Sequence, residues 1–239
     1  MIDYNSLLDA LFVDVWEKRC QEYKFVRDGL MRNIPNESEA WFHARRKIAF
    51  LLKDKSDGTG DDVRDWLKDN DNLNNLNNRN LAGRFFRNIA NVLYGLGHDE
   101  CDFNNVENNP SVKECLLTSP FAIIECKKEA GESSLDDNEL KHFLERDGDL
   151  LQIQLALLKP NVIVCSGRLI NEFVKRMFPH DDLYIQSNNL AYSKSTKSLI
   201  ILGYHPSYRD SYAKYFGGVM EHYRKFLKTE YGKEFAPEN

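Results

Sequence analysis

Two acids, a glycine turn and a histidine each follow a short apolar run in this chain, and all are groups able to hold charge, move protons or bend the backbone. The runs are Ile48 to Leu52 before Lys53-Asp54, Phe121 to Ile124 before Glu125, Val162 to Cys165 before Ser166-Gly167, and Leu199 to Leu202 before Gly203-Tyr204-His205. The carboxyl ends of parallel strands are where an open α/β sheet builds its site, so the four sets of residues are expected on one rim.

The intervening segments must supply the helices that hold such a sheet. From Asn5 to Met31, apolar residues such as Leu7, Leu8, Leu11, Val15 and Trp16 recur at helical spacing, which predicts one or two amphipathic helices ahead of the sheet. Pro35 and its polar neighbours predict a loop over 33–39, before a short stretch from Trp41 to Arg46 that leads into the first strand. The Asn-rich run from Asp69 to Asn80 reads as a loop. Phe85, Ile89, Val92 and Leu93 share one face of a helix that ends at Gly95 and Gly97. Ser133-Ser134 and Asp136-Asp137 offer N-caps for a helical region that reaches Leu158 with a break at Gly148, and Lys159-Pro160 stops it. A helix after Gly167 uses Ile170, Phe173, Val174 and Met177, and a last one lies around Val219 to Thr229. This alternation predicts a three-layer α/β/α fold around a central, mainly parallel four-stranded sheet, with N-terminal helices added. The expected organisation is one domain over 1–239, with a helical extension over 1–46 and an α/β core over 47–228.

Composition narrows the function classes. With 239 residues, 42% hydrophobic and 29% charged, the chain reads as a soluble globular protein. No apolar run approaches the roughly 20 residues that cross a bilayer, so no membrane partner is expected. Acids inside the first apolar stretch and the lack of a basic leader predict a cytoplasmic location. Five cysteines, odd in number and without a CxxC pair, argue against a disulfide framework and a zinc ribbon, so no metal or cofactor is expected. A net charge of −5, from 32 basic and 37 acidic residues, describes no overall basic coat, so any DNA contact would rest on a local basic strip.

An acid after the first strand, KPNVIVCSG at the third and HPSYR after the fourth resemble, in order and spacing from Lys47 to Lys228, the uracil-DNA glycosylase superfamily. The resemblance implies hydrolysis of the bond between a flipped-out base and its deoxyribose, with DNA as partner. It implies that Asp54 stabilises the sugar cation and orients a water, with Asp57 as competitor because the first motif aligns loosely. The plainer reading of both is a pair of solvated loop acids. His205 is implied as donor to the carbonyl oxygen of the leaving base, which neutral imidazole can be. Ser207 is implied as a phosphate contact. Arg209 falls where the family fills the space left by the flipped base, or else is a simple phosphate contact. Lys53, Lys127 and Lys128 lie at the same expected rim and could meet phosphates. Trp66, Phe85 and Phe86 are candidates for an aromatic platform under the base, with the core as their plainer reading. The four-cysteine pattern of the iron-sulfur branch is absent from the sequence.

Glu125 departs most informatively from the superfamily, which commonly has Asn at this strand end to read uracil. An ionised Glu only accepts, so it would oppose a uracil carbonyl and suit the exocyclic amine of cytosine. A protonated, buried Glu could also donate to the cytosine ring nitrogen. A modified cytosine is therefore the expected target, which brings in the phage-defence branch that removes glucosylated hydroxymethylcytosine. The simpler alternative pairs Glu125 with Lys127, Lys128 or Lys53. Three other readings stay open: a uracil-DNA glycosylase of base excision repair, a catalytically inactive DNA-binding relative, and an α/β enzyme acting on nucleotides or another small molecule. The last has no GxxxxGK[ST] or GxGxxG run in its support.

Overall fold

A computed structural model of the chain, which describes residues 2–20, 24–54, 61–68, 81–98, 101–131 and 136–235, places the four expected strands side by side and parallel. These are β2 (Ile48–Leu52), β3 (Ala122–Glu125), β4 (Val162–Ser166) and β7 (Ser198–Gly203), in the order β3-β2-β4-β7. Leu52 lies opposite Glu125, Ile48 opposite Val162 and Ser166 opposite Gly203. Side chains alternate along each strand. Phe50, Leu52, Ile123, Val164 and Ile201 enter one core, and Ala49, Leu51, Ile124, Ile163 and Ile200 enter the other. Burial on both faces is why these strands read as continuous apolar runs.

The first core is covered by α3 (Leu81–Gly97), α4 (Pro110–Thr118) and α7 (Tyr212–Leu227), and the second by α1 (Tyr4–Leu11), α5 (Asp137–Leu158) and α6 (Arg168–Arg176). The result is a three-layer α/β/α fold. Local chemistry sets the helix ends. Asp136 accepts from the backbone of Asn138 and Glu139 to start α5, which stops where Lys159 turns left-handed before Pro160.

Among the described residues the sheet has seven strands, not the expected four. β1 (Gly29–Leu30) pairs antiparallel with β3, and the hairpin of β5 (Leu183–Ser187) and β6 (Leu190–Ser193) adds antiparallel to β7. The N-terminal helix also stops earlier than its periodicity suggests. It continues from α1 as a π-helical stretch, Phe12–Trp16, and one further turn, Glu17–Arg19. From residue 24 the chain is extended, because Val26 and Met31 donate their N–H groups to the carbonyls of Lys128 and Phe121 at 2.8 and 2.9 Å. Helix α2 (Glu37–His43) begins inside the segment expected to be a loop. Helix α7 starts at Tyr212, where Ser211 caps it, and a short α8 (Glu230–Phe235) follows. Gly148 does not break α5; the ring of Phe173 from α6 packs where its Cβ would stand, so this glycine serves close helix contact. The Asp69–Asn80 run and Ser133-Ser134 lie outside the described residues.

Arg64, fully buried, joins the N-terminal layer to the sheet by donating to Asp9 and Asp62, each at 2.6 Å. Among the described residues, no helix is long and apolar enough to cross a membrane. Gly29 has φ +128°, and a Cβ there would collide with the side chain of Leu8. Gly29→Ala is therefore expected to lower stability by about 2 kcal/mol in urea unfolding; an unchanged midpoint would show that this backbone relaxes freely.

Candidate active site

Strand β2 stays zipped to the β3 side past its formal end, since Cys126 and Lys127 donate their N–H groups to the carbonyls of Leu52 and Lys53, both at 2.9 Å. Asp54 follows at once. Its Oδ2 is buried and accepts no hydrogen bond among the described residues. A Cβ on Gly131 would come within 2.5 Å of that oxygen and 3.6 Å of the Lys127 ammonium, so the glycine makes room for the carboxylate. Burial pushes the Asp54 carboxyl above the ordinary carboxylate value, Lys127 and Lys53 pull it back, and Glu139 adds to the rise. Asp57 lies outside the described residues.

His205 stands two strands away, on the loop after β7. Its Nδ1 accepts the backbone N–H of Ser207 at 3.1 Å. A backbone N–H can only donate, so the ring proton of neutral His205 sits on Nε2. Burial, helped by the positive charge of Lys53, pushes the imidazole down to about 4. The ring is thus a neutral Nε2–H donor at physiological pH. The Phe85 ring flanks it at 6.0 Å between centroids.

Glu125 closes β3 at 1% exposure, on the same side of the sheet as Ile123 by strand alternation. Lys53, Lys127 and Lys128 send their ammonium groups to Asp137, Glu139 and Asp28 at 2.9, 3.0 and 2.5 Å. An acid that can gain a proton, a neutral imidazole donor and a buried Glu therefore line the carboxyl rim of one sheet.

Compared with known protein families, residues 42–228 match the Uracil DNA glycosylase superfamily. The chain belongs to this superfamily. No curated protein and no solved structure matches the chain. Membership supports DNA glycosylase activity, with DNA as the molecule acted on.

Within this glycosylase fold the remaining expected residues separate. Lys128 is fully buried in an ion pair with Asp28 and lies over the Trp16 ring, so it is a structural cation and not a phosphate contact. Lys127, 7% exposed, stands beside Asp54 as a counter-charge and over the Phe143 ring. Lys53 is half-buried just past β2, its Cε 4.0 Å from where Gly167, just after β4, would carry a Cβ. Ser207 is half-buried and gives its backbone to His205, while Arg209 is exposed. Trp66, Phe85 and Phe86 form one edge-to-face cluster with centroids 5.2 to 6.4 Å apart. Phe86 is core, and Phe85 is both core and wall to His205.

Sequence reasoning missed the residues that hold the His205 loop. Buried Asn88 of α3 donates to the Pro206 carbonyl at 2.6 Å, and Arg84 donates to the carbonyls of Tyr208 and Arg209. The signal was there, in a polar Asn88 set inside the apolar face of α3. Ser166, also given no role, buries an Oγ that meets no hydrogen-bond partner among the described residues. No group of three or more His, Cys, Asp or Glu side chains among the described residues is placed to hold a metal ion.

The two shifts set a pH signature. Between about 4 and the ordinary 6.5, the unfolded chain protonates His205 while the folded one does not, so His205 lowers stability as pH falls through that window. For activity, kcat/KM is expected to fall on the acid side with a midpoint above 3.8, set by Asp54, and to show no limb near 6.5 from His205. A limb near 6.5 that disappears in His205→Asn would overturn the neutral-imidazole assignment.

Proposed function

We propose that this protein is a monofunctional DNA glycosylase whose target is a flipped-out, modified cytosine, with glucosylated hydroxymethylcytosine of phage DNA as the leading case. The observation that carries the choice of base is Glu125, a carboxylic acid buried at the strand end that shares a rim with His205. A carboxylate there accepts from the exocyclic amine of cytosine and opposes the carbonyl that uracil carries at the same edge. Excision of such a base would turn phage DNA into abasic DNA while plain cytosine is spared, a phage-defence role.

In the proposed reaction, water attacks the anomeric carbon as the carbon–nitrogen bond breaks and its electron pair leaves with the base. Asp54 orients the water, takes its proton and faces the positive charge that grows on the sugar. His205 offers Nε2–H to the carbonyl oxygen of the departing base. Strands stand about 4.8 Å apart, so the two-strand step from β2 to β7 is roughly 10 Å and the three-strand step from β3 to β7 roughly 14 Å. Those spans suit a sugar next to Asp54 and a pyrimidine between Glu125 and His205. Lys53, Ser207 and Arg209 are proposed to meet the DNA backbone along a local basic strip.

The test is base release, read by mass spectrometry, from matched duplexes carrying uracil, cytosine, hydroxymethylcytosine or its glucosylated form. Release confined to a modified cytosine is expected. Release of uracil would overturn the role of Glu125, and no release from any of the four would overturn the proposed activity. On the released base, Asp54→Asn is expected to lower kcat by about 10²–10⁴ and His205→Ala by about 10²–10³, with DNA affinity nearly unchanged.

A further inference from the structure

The edge of the sheet at β3 is short of a partner where it matters most. β1 pairs only with Ala122 and Ile123, so the ladder ends before the last residue of β3. On the other side, the N–H of Cys126 points to β2. The N–H and C=O of Glu125 therefore face the edge, where no strand among the described residues meets them.

A buried ion pair takes the place of the missing strand. Asp28 Oδ2 accepts the Glu125 N–H at 2.7 Å, and Lys128 Nζ donates to the Glu125 carbonyl at 2.7 Å. The same Lys128 ammonium bonds the same Asp28 oxygen at 2.5 Å, and Gln154 of α5 donates to the other oxygen, Oδ1, at 2.7 Å. Asp28, Lys128 and Gln154 are all fully buried. One ion pair thus holds the peptide groups on both sides of Glu125, and with them the direction in which its side chain leaves the backbone.

We infer that Asp28 and Lys128 are positioning residues for base discrimination, acting through the backbone of Glu125. The inference rests on the base-reading role proposed for Glu125. An ordinary ladder would fix the strand by one more pair between β1 and β3, which this edge lacks. The side-chain clamp instead spans the gap between that ladder and the place where the chain pairs again, at Phe25 with Glu129. Discrimination between a carbonyl and an amine at one ring position depends on carboxylate placement to within a few tenths of an ångström, because hydrogen bonds weaken steeply off their geometry. General scaffold damage has no such base dependence.

The experiment is a mutant cycle on the full chain. It combines Asp28→Asn/Lys128→Met, which removes both charges together, with Glu125→Gln, and reads the ratio of kcat/KM between the preferred modified cytosine and uracil in matched duplexes. The clamp variant is expected to lower that ratio by about tenfold, and to lower it no further once Glu125 is Gln. A clamp variant that slows both bases equally, or whose effect adds in full to that of Glu125→Gln, would overturn the inference. If Glu125→Gln alone leaves the ratio unchanged, the base-reading role fails and the inference falls with it. That outcome is distinct from one in which Glu125→Gln shifts the ratio and the clamp variant does not. Should the double replacement not fold in a thermal melt, Gln154→Met keeps the ion pair and loosens only Asp28. It is expected to shift the ratio in the same direction by a smaller factor, and an unchanged ratio would again overturn the inference.

Discussion

Parallel strands buried on both faces constrain everything else in this protein. The inner strands β2 and β4 satisfy their backbone groups with neighbours, and their side chains enter two apolar cores, so polar chemistry has no place along their length. It is confined to the ends. Each fully buried Leu, Ile or Phe contributes about 1.5–3 kcal/mol, and a slip of one residue would turn every one of them to the wrong face. The pairing of Ser166 with Gly203 and of Leu52 with Glu125 is thereby held firmly. The rim residues inherit their order across the sheet from it.

Buried charge gathers where that logic lapses, around the β1–β3 edge. Asp28 with Lys128, Arg64 with Asp62 and Asp9, and Arg146 with Asp147 and Glu129 all lie between the N-terminal layer and this side of the sheet. Ion pairs of this kind contribute little net stability, since desolvation offsets most of the attraction, but each is costly to half-remove. They specify one arrangement where apolar packing would accept several. The N-terminal segment, with few strand residues to align it, is fixed to the sheet by directional bonds of this type.

The features that physics makes periodic were legible in the sequence. The four parallel strands, helices α3 and α6, the cap at Asp136 and the position of His205 after β7 follow from apolar runs, helical spacing and turn chemistry. β1 was illegible because two residues make no pattern, and its pairing is set by the distant β3. Residues 24–31 kept a helical look while tertiary bonds to Lys128 and Phe121 drew them out. Gly148 reads as a breaker by propensity, yet the ring of Phe173 needs its missing side chain. At the site, residue type located Asp54, Glu125 and His205, but nothing in type or spacing separates Lys53 at the rim from Lys128 in the interior. That difference comes from the fold beyond β3, where the chain turns back and buries Lys128 against Asp28.

Lys53 shows how one charge can prepare two groups for opposite tasks. Burial is the larger influence on both, and beside it the Lys53 ammonium lowers the proton affinity of Asp54, where Lys127 does so more strongly, and that of His205. For a carboxyl this favours the charged form, and for an imidazole it favours the neutral one. Burial acts on the same two groups with opposite results, raising Asp54 and lowering His205. At Asp54 the two influences oppose each other and burial prevails, leaving a carboxyl that is more basic than usual. At His205 they add, and the ring is firmly neutral. In the proposed reaction this is the useful combination, because a basic carboxylate accepts the proton of water while a neutral ring gives a hydrogen bond without a prior titration. In the proposed reaction the base would leave with its electron pair beside His205, so Lys53, whose charge already reaches that ring, would also favour the transition state.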